Sequence, residues 1–246
     1  MALRLGFDLD GVLADMNGAL LREARRLFPD LEIQASASTP APLAAPDPGT
    51  PEAGDPSESL PTPLALSRRQ ERQLWDTVKK IENFWETLEE TEPGIVGRLA
   101  ETARARRWEV IFLTSRPRTA GDIVQVQSQR WLAARGFELP SLFVVSMSRG
   151  KIAASLELDV VVDDRPENCL DITIESRARA ILVWRGDQGG VPASARRLGI
   201  GGVPSVGACL DLLIDADTPD ATSPSFVDRL KRLLGLKPVT AQQAGA

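Results

Sequence analysis

Short apolar runs alternate with amphipathic segments along most of this chain. The first run, at residues 3–7, contains no breaker and ends in Asp-Leu-Asp-Gly, which is typical of a buried strand that delivers polar residues at its C-terminal end. Similar runs predict strands at residues 110–113, 142–145, 160–162 and 180–184. Near-continuous apolar strands that alternate with helices indicate a five-stranded parallel sheet covered on both faces, a three-layer α/β/α fold.

Apolar positions at helical spacing predict the intervening helices. Between residues 67 and 90 one stripe consists of Leu74, Val78, Ile81, Trp85 and Leu88. We interpret the aromatic residues of this segment as packing residues rather than a ligand platform: Trp75, Phe84 and Trp85. Other helices are predicted after the first strand, ending near Pro29, and at residues 95–106, 122–135, 151–156 and 206–214.

These elements predict a core at residues 1–14 and 93–215, interrupted by a small helical cap at residues 15–92. Inside the cap, residues 34–67 hold eight prolines and few large apolar side chains, so burial would not offset the entropy of ordering them. We predict that this insert is disordered. Residues 216–246 are predicted to form a linker, an amphipathic helix that docks back onto the domain, and a tail.

Composition excludes several classes of function. The formal net charge of −5 offers no basis for binding nucleic acid polymers. No apolar run approaches the roughly 20 residues that span a bilayer, and the first residues lack a signal-peptide pattern, so we expect a cytoplasmic protein without membrane binding. The two cysteines, Cys169 and Cys209, form no CxxC pattern and are expected to be buried thiols.

Histidine is absent from the sequence. Its absence excludes Ser-His-Asp triads, Cys-His nucleophile pairs, zincin sites and phosphohistidine mechanisms together. The chemistry must therefore run on carboxylates, hydroxyls, lysine and arginine, with or without a hard metal ion.

Polar residues collect at the predicted C-terminal ends of the strands, where open parallel sheets bind ligands. They comprise two acidic pairs, a hydroxyl pair and a lysine, namely Asp8 with Asp10, Asp163 with Asp164, Thr114 with Ser115, and Lys151. Two acidic pairs concentrate more negative charge than side-chain partners alone would neutralise, so we expect a hard cation with oxygen ligands. Mg²⁺ suits this count because it uses only one or two carboxylates and keeps several waters.

Each group has a task if the substrate is a phosphate monoester. One carboxylate could attack phosphorus to form an aspartyl phosphate. A second, two residues on, could protonate the leaving oxygen and then activate water. Thr114 and Lys151 could bind the other phosphoryl oxygens. Asp15 could contact substrate or cap the next helix, whereas for Arg116, Arg118 and Arg165 we favour pairing with acids over gripping a distal phosphate.

Four motifs, in this order and spacing, resemble the signatures of the haloacid dehalogenase (HAD) superfamily. Residues 8–15 look like its first motif, residues 113–115 like its second, Lys151 like its third and residues 162–164 like its fourth. The resemblance covers about residues 3–185.

This resemblance implies a Rossmann-like core with Asp8 as nucleophile and Asp10 as general acid/base. It also implies that Mg²⁺ is held by Asp8, by the backbone carbonyl of Asp10, and by one or both of Asp163 and Asp164. Thr114, Ser115 and Lys151 would bind the substrate phosphate.

The first motif and the Asp-Asp-Arg at residues 163–165 are similar to the 5′(3′)-deoxyribonucleotidase branch, whose small cap matches residues 15–92. The chain departs from that branch at Met16, at Arg116-Pro117 and in its Pro-rich insert. The resemblance implies a phosphatase whose partner is a small phosphorylated substrate, with nucleoside monophosphates as first choice and other phosphate monoesters as the alternative.

Three other functions stay open, and the oligomeric state is left undetermined by the sequence. A dehalogenase needs no second carboxylate to protonate a leaving oxygen, so Asp10 counts against it. A phosphotransferase would pass the group to an acceptor other than water. A non-catalytic binding or scaffold protein on this fold would use the long insert and the last helix for partners, although all predicted catalytic positions are filled.

Overall fold

A computed structural model describes residues 2–30, 64, 66–145, 148–186, 195, 197–218 and 225–236. Nearly all of the predicted disordered insert, and the tail after residue 236, lie outside the described residues. The chain divides into two compact units, Met1–Met147 and Ser148–Ala246. Among the described residues, no helix is long and apolar enough to cross a membrane.

Six strands of the described chain form a parallel sheet accompanied by helices, which confirms the predicted α/β fold. The strands are β1 (Arg4–Asp8), β2 (Glu109–Thr114), β3 (Ser141–Val144), β4 (Val160–Asp163), β5 (Arg179–Val183) and β6 (Gly201–Val203). The prediction of five strands was wrong by one. The sequence of β6, Gly-Gly-Val, carries one apolar side chain and two residues that disfavour strands, so no periodic signal marks it.

Eight α-helices are described around these strands. They are α1 (Met16–Leu27), α2 (Arg68–Val78), α3 (Ile95–Arg106), α4 (Val124–Ala133), α5 (Arg149–Ser155), α6 (Pro166–Glu175), α7 (Val206–Asp217) and α8 (Phe226–Leu233). Apart from α2, each described helix lies where helical spacing predicted it or follows a predicted strand, with ends shifted by a few residues.

In the first unit, β2 lies between β1 and β3. The Cα atoms of Asp8 and Leu113 are partners in the parallel ladder, as are those of Thr114 and Val144. This register brings the end of β1 beside the end of β2. Polar residues that follow the two strands are therefore neighbours.

The predicted helix at residues 67–90 is shorter than its apolar stripe indicated. It ends at Val78, and only a 3₁₀ turn at Phe84–Glu86 follows. Between them, the Ala120 N–H donates to the Lys79 carbonyl and the Asn83 N–H donates to the Ala120 carbonyl, each at 2.8 Å. These backbone bonds to a distant loop replace the helical ones, while the stripe residues Trp85 and Leu88 stay fully buried.

The segment at residues 15–92 enters and leaves the first unit at one place. Ala14 forms an antiparallel bridge with Glu90, and the Asp15 N–H donates to the Glu89 carbonyl at 2.9 Å. The Thr91 hydroxyl also donates to the carbonyl of Val12. Inside the segment α1 packs against α2. These contacts describe the base of the predicted cap, whose status as a separate domain stays a prediction.

In the second unit, β5 lies between β4 and β6. The last helix, α8, packs on α7. Leu230 of α8 is buried, and the Arg229 Nε–H donates to the Ala216 carbonyl at 2.6 Å. The predicted docking of this helix onto the domain is therefore confirmed within its own unit. Both cysteines are buried, as predicted.

We expect two helical glycines to respond in opposite ways to alanine. A Cβ on Gly150 would overlap the Asp171 carbonyl oxygen and lie 2.7 Å from the Glu175 Cβ, whereas a Cβ on Gly97 would meet the Arg135 carbonyl oxygen only at 3.4 Å. Gly150→Ala should lower the free energy of unfolding by about 1–3 kcal/mol through overpacking.

Gly97→Ala is the matched control and should raise the free energy of unfolding by up to about 1 kcal/mol, because alanine favours helices over glycine. Urea denaturation followed by circular dichroism measures both. Equal effects of the two substitutions would contradict the close packing of α5 on α6.

Candidate active site

The loop after β1 carries the first acidic pair. Asp8 is buried at the end of the strand, and the following loop closes through the Gly11 N–H, which donates to the Ala14 carbonyl at 2.9 Å. Gly11 has a φ of 82°, a left-handed conformation that glycine adopts without the usual steric cost. The glycine of the motif thus allows the tight turn that follows Asp10.

The carboxylate of Asp10 is held by side chains from the end of β2 and the residues after it. Arg116 donates from Nε to Oδ1 and Oδ2 of Asp10 at 3.0 and 2.9 Å, and from Nη2 to Oδ1 at 2.8 Å. The Thr114 hydroxyl donates to Oδ2 at 3.1 Å. The structure therefore brings together Asp10 and Thr114, two of the residues predicted for the site.

Arg116 is itself buried and surrounded. Its side chain is 0% exposed, against 12% for that of Asp10. Its Nη1 donates to the Ser128 Oγ at 2.9 Å, and its guanidinium lies over the Trp85 ring, 4.9 Å from the centroid. This pairing agrees with the expectation that Arg116 binds an acid. Its partner lies 106 positions away in the chain, so sequence spacing does not predict it.

Other residues predicted near this loop have different surroundings. Ser115 is exposed, whereas Thr114 is fully buried. Asp15 accepts from the Gly18 N–H at 2.9 Å, which is the helix-capping alternative. In the second unit, Arg165 lies 3.9 Å from Glu167, so this arginine also has an acidic neighbour.

The second acidic pair follows β4 in the second unit. Asp163 is almost fully buried, and its Oδ1 accepts from the Arg165 N–H at 2.9 Å. The Asn168 amide donates to both carboxylate oxygens at 3.0 Å, and Arg149 Nε lies 3.9 Å from Oδ2. Neither Asn168 nor Arg149 was predicted for the site; Asn168 lies one turn into α6, whose start directly follows the acidic motif.

Burial dominates the electrostatics of this pair. Desolvation raises the pKa of the Asp163 carboxyl, against the attraction of Arg149. Desolvation first, and the Asp163 charge second, raise the pKa of Asp164 to about 7, although Arg185 and Arg165 oppose the shift. Two adjacent carboxylates that repel one another are stabilised by a nearby cation.

Lys151 lies in the first turn of α5. Its N–H donates to the Oγ of the N-cap residue Ser148 at 3.2 Å, and its side chain is exposed. Ser148 in turn donates to Asp171 at 2.6 Å. The start of this helix is therefore held within the second unit, while the phosphate-binding role of Lys151 stays a prediction.

The predicted donor set would suit a hard cation such as Mg²⁺. Its candidate ligands, Asp8, Asp10, Asp163 and Asp164, all offer carboxylate or carbonyl oxygens, the ligands that Mg²⁺ prefers. Within the described parts of the chain, no group of three or more His, Cys, Asp or Glu side chains is gathered as a metal cluster. The convergence of the two acidic pairs on one ion stays a prediction.

No protein-family model and no curated protein matches the chain. Among solved structures, a phosphonoacetaldehyde hydrolase-like protein from Oleispira antarctica is similar, with a TM-score of 0.51 and 15% identity over 96% of each chain. A haloacid dehalogenase-like family hydrolase from Xanthomonas campestris has a TM-score of 0.49 and 17% identity, covering 95% of this chain and 98% of its own. A hydrolase from Pseudomonas syringae has a TM-score of 0.44 and 14% identity, covering 85% of this chain and 98% of its own.

At these identities the likeness establishes the fold alone, and the Oleispira structure supports it. It agrees with the parallel α/β arrangement described above. What the chain does must be argued from its own residues.

The raised pKa of Asp164 predicts a pH-dependent stability. Its folded value of about 7 exceeds the ordinary value of 3.8, so the native state binds more protons than the unfolded state between these limits. Stability without metal should therefore fall as pH rises from about 4 to about 7. In Asp164→Asn this decline should become shallower.

Urea unfolding in EDTA at several pH values between 4 and 8 measures the slope for both proteins. An identical slope for the parent and Asp164→Asn would contradict the raised pKa of Asp164.

Proposed function

We propose that this chain is a Mg²⁺-dependent phosphohydrolase of the HAD type, which cleaves phosphate monoesters through an aspartyl phosphate on Asp8. The observation that carries the proposal is the arrangement after β1 and β2. Asp8 is buried at a strand end, and Asp10, two residues on, has its carboxylate held by Thr114 and Arg116. Transfer of a phosphoryl group to a carboxylate, followed by hydrolysis, needs a nucleophile and an oriented carboxyl group beside it.

In the first step, an Asp8 oxygen attacks phosphorus and the bond from phosphorus to the leaving oxygen breaks. The Asp10 carboxyl gives its proton to that oxygen, so an alcohol leaves. In the second step, Asp10 takes a proton from water, whose oxygen attacks the phosphorus of the aspartyl phosphate. The bond from phosphorus to the Asp8 oxygen breaks, inorganic phosphate leaves, and both carboxyl groups return to their starting states.

The remaining residues deal with charge. Thr114, Ser115 and Lys151 would bind phosphoryl oxygens that do not react. Mg²⁺, held by Asp8, the Asp10 carbonyl and the Asp163–Asp164 pair, would reduce the repulsion between an anionic nucleophile and an anionic phosphate. The adjacent carboxylates of Asp163 and Asp164 support this assignment because a divalent cation would offset their mutual repulsion.

The presence of Asp10 favours a leaving oxygen over a leaving halide. A halide departs without a proton, so a dehalogenase would have no use for the second carboxyl group. The arrangement around Asp10 also favours a catalytic role over a scaffold, since a binding protein needs no oriented proton donor.

Nucleoside monophosphates remain the first choice of substrate, on the resemblance of the motifs alone. The three aromatic residues of the segment at 67–90 are buried, with Trp75 5%, Phe84 3% and Trp85 0% exposed, so none of them offers a free face to a base. Substrate screening should therefore include sugar, alkyl and aryl phosphates. Phosphonoacetaldehyde belongs in the panel because a similar structure carries that name.

We expect Mg²⁺-dependent release of phosphate from at least one compound of this panel. EDTA should abolish release, and Asp8→Asn should reduce it to background because an amide is a poor nucleophile. Asp76→Asn, at an exposed position on α2, is the control and should keep parental activity. Near-normal turnover by Asp8→Asn would exclude the mechanism, and no release by a folded, Mg²⁺-binding parent would favour the scaffold alternative.

Asp10→Asn should slow both chemical steps by about 10²–10⁴-fold, the usual contribution of a positioned acid/base. Rapid-quench measurement of phosphoenzyme formation and decay separates the two steps. An unchanged rate in either step would remove Asp10 from that step.

A further inference from the structure

Both carboxylate oxygens of Asp10 are bound by one buried arginine. Arg116 contacts Oδ1 and Oδ2 through Nε and Nη2, and its Nη1 is occupied by Ser128. We propose that Arg116 is a positioning residue: it orients the Asp10 carboxyl group for proton transfer and is itself held by Ser128 and Trp85. This inference rests on the proposed function, because it explains how the general acid/base of that function, Asp10, is oriented.

The geometry of Arg116 is that of a planar fork rather than a point charge. A guanidinium can serve a carboxylate on one edge and a hydroxyl on the other, and an ammonium cannot reproduce that arrangement. The Thr114 hydroxyl adds a bond to Oδ2 at 3.1 Å. Together these donors fix the plane of the Asp10 carboxylate, and with it the direction in which a proton leaves or arrives.

Trp85, which covers Arg116, is held by hydrogen bonds of its own. Its indole N–H donates to the Pro117 carbonyl at 3.0 Å, and its backbone N–H donates to the Gln127 side chain at 3.1 Å. These two bonds and the contact with the guanidinium place the Trp85 ring against Arg116. Trp85 belongs to the 3₁₀ turn at the return end of the segment at 15–92, so that segment reaches Asp10 through Arg116.

Stability alone is a weak reason for this arrangement. A buried ion pair often contributes little net free energy, because desolvation of both charges offsets their attraction. Orientation is a stronger reason, since proton transfer depends on alignment within a fraction of an ångström. A positioning role also makes a distinct prediction, because help from a general acid matters only when the leaving group is basic.

The test compares kcat/KM for two leaving groups in Mg²⁺, an alkyl phosphate and 2,4-dinitrophenyl phosphate. This parameter reports the steps through cleavage of the ester bond, where Asp10 acts as an acid. Arg116→Lys should lose about 10–100-fold on the alkyl ester and less than about 3-fold on the dinitrophenyl ester, a part of the full effect of a general acid. Asp10→Asn should show the same pattern at larger amplitude.

Two variants serve as controls. Arg130→Ala removes an exposed arginine that pairs with Glu86 and Asp122, beside the same 3₁₀ turn, and should leave both substrates unaffected. Ser128→Ala removes one bond to Arg116 without touching Asp10, and should show a smaller loss with the same dependence on the leaving group. Ser128→Ala also carries the test if Arg116→Lys does not fold, as judged by circular dichroism.

The outcomes separate this inference from the proposed function. Phosphate release by the parent with equal losses on both esters in Arg116→Lys and Ser128→Ala would overturn the positioning role alone. An Arg116→Lys, Asp10→Asn double variant that is no slower than Asp10→Asn on the alkyl ester would support it, because the arginine then acts only through Asp10. Absence of release by the parent would overturn both proposals.

Discussion

The parallel pairing of β1 with β2 is the constraint on which the candidate site of the first unit depends. Because Asp8 lies opposite Leu113 in this ladder, the loop that carries Asp10 meets the residues that follow β2. A shift of β1 by one residue would turn Asp8 and the other side chains of this strand to the opposite face of the sheet. The apolar residues of both strands are buried, Phe7 and Phe112 fully, and their burial favours this register.

The cost of burying charge accounts for the surroundings of each acidic pair. Asp10 is matched by a guanidinium and a hydroxyl, so its oxygens keep hydrogen-bond donors in place of water. Asp163 accepts hydrogen bonds from the Asn168 amide and the Arg165 N–H, yet desolvation still raises its pKa. Protein donors therefore surround the Asp10 carboxylate, whereas burial raises the pKa of both Asp163 and Asp164 in spite of the arginines near them.

Residues far apart in the chain come into contact because the segment at 15–92 returns to the sheet. The turn after α2 is held by backbone bonds to Ala120, and Trp85 then covers Arg116. The same return path places the Trp131 indole N–H on the Leu88 carbonyl at 2.7 Å. The segment at 15–92 is in this way tied to the residues that surround Asp10, while its first and last residues stay side by side.

The sequence by itself determined the α/β class, most strands and helices, and the acidic residues at two strand ends, because buried strands are apolar and their ends are not. Only the tertiary structure decided where α2 stops, since its last turns are replaced by bonds to a loop forty residues away. It also decided the partner of Arg116 and the pKa of Asp164. The partner and the pKa depend on burial and on contacts between distant residues. The periodic spacing of apolar positions in the sequence encodes neither burial of a carboxyl group nor such contacts.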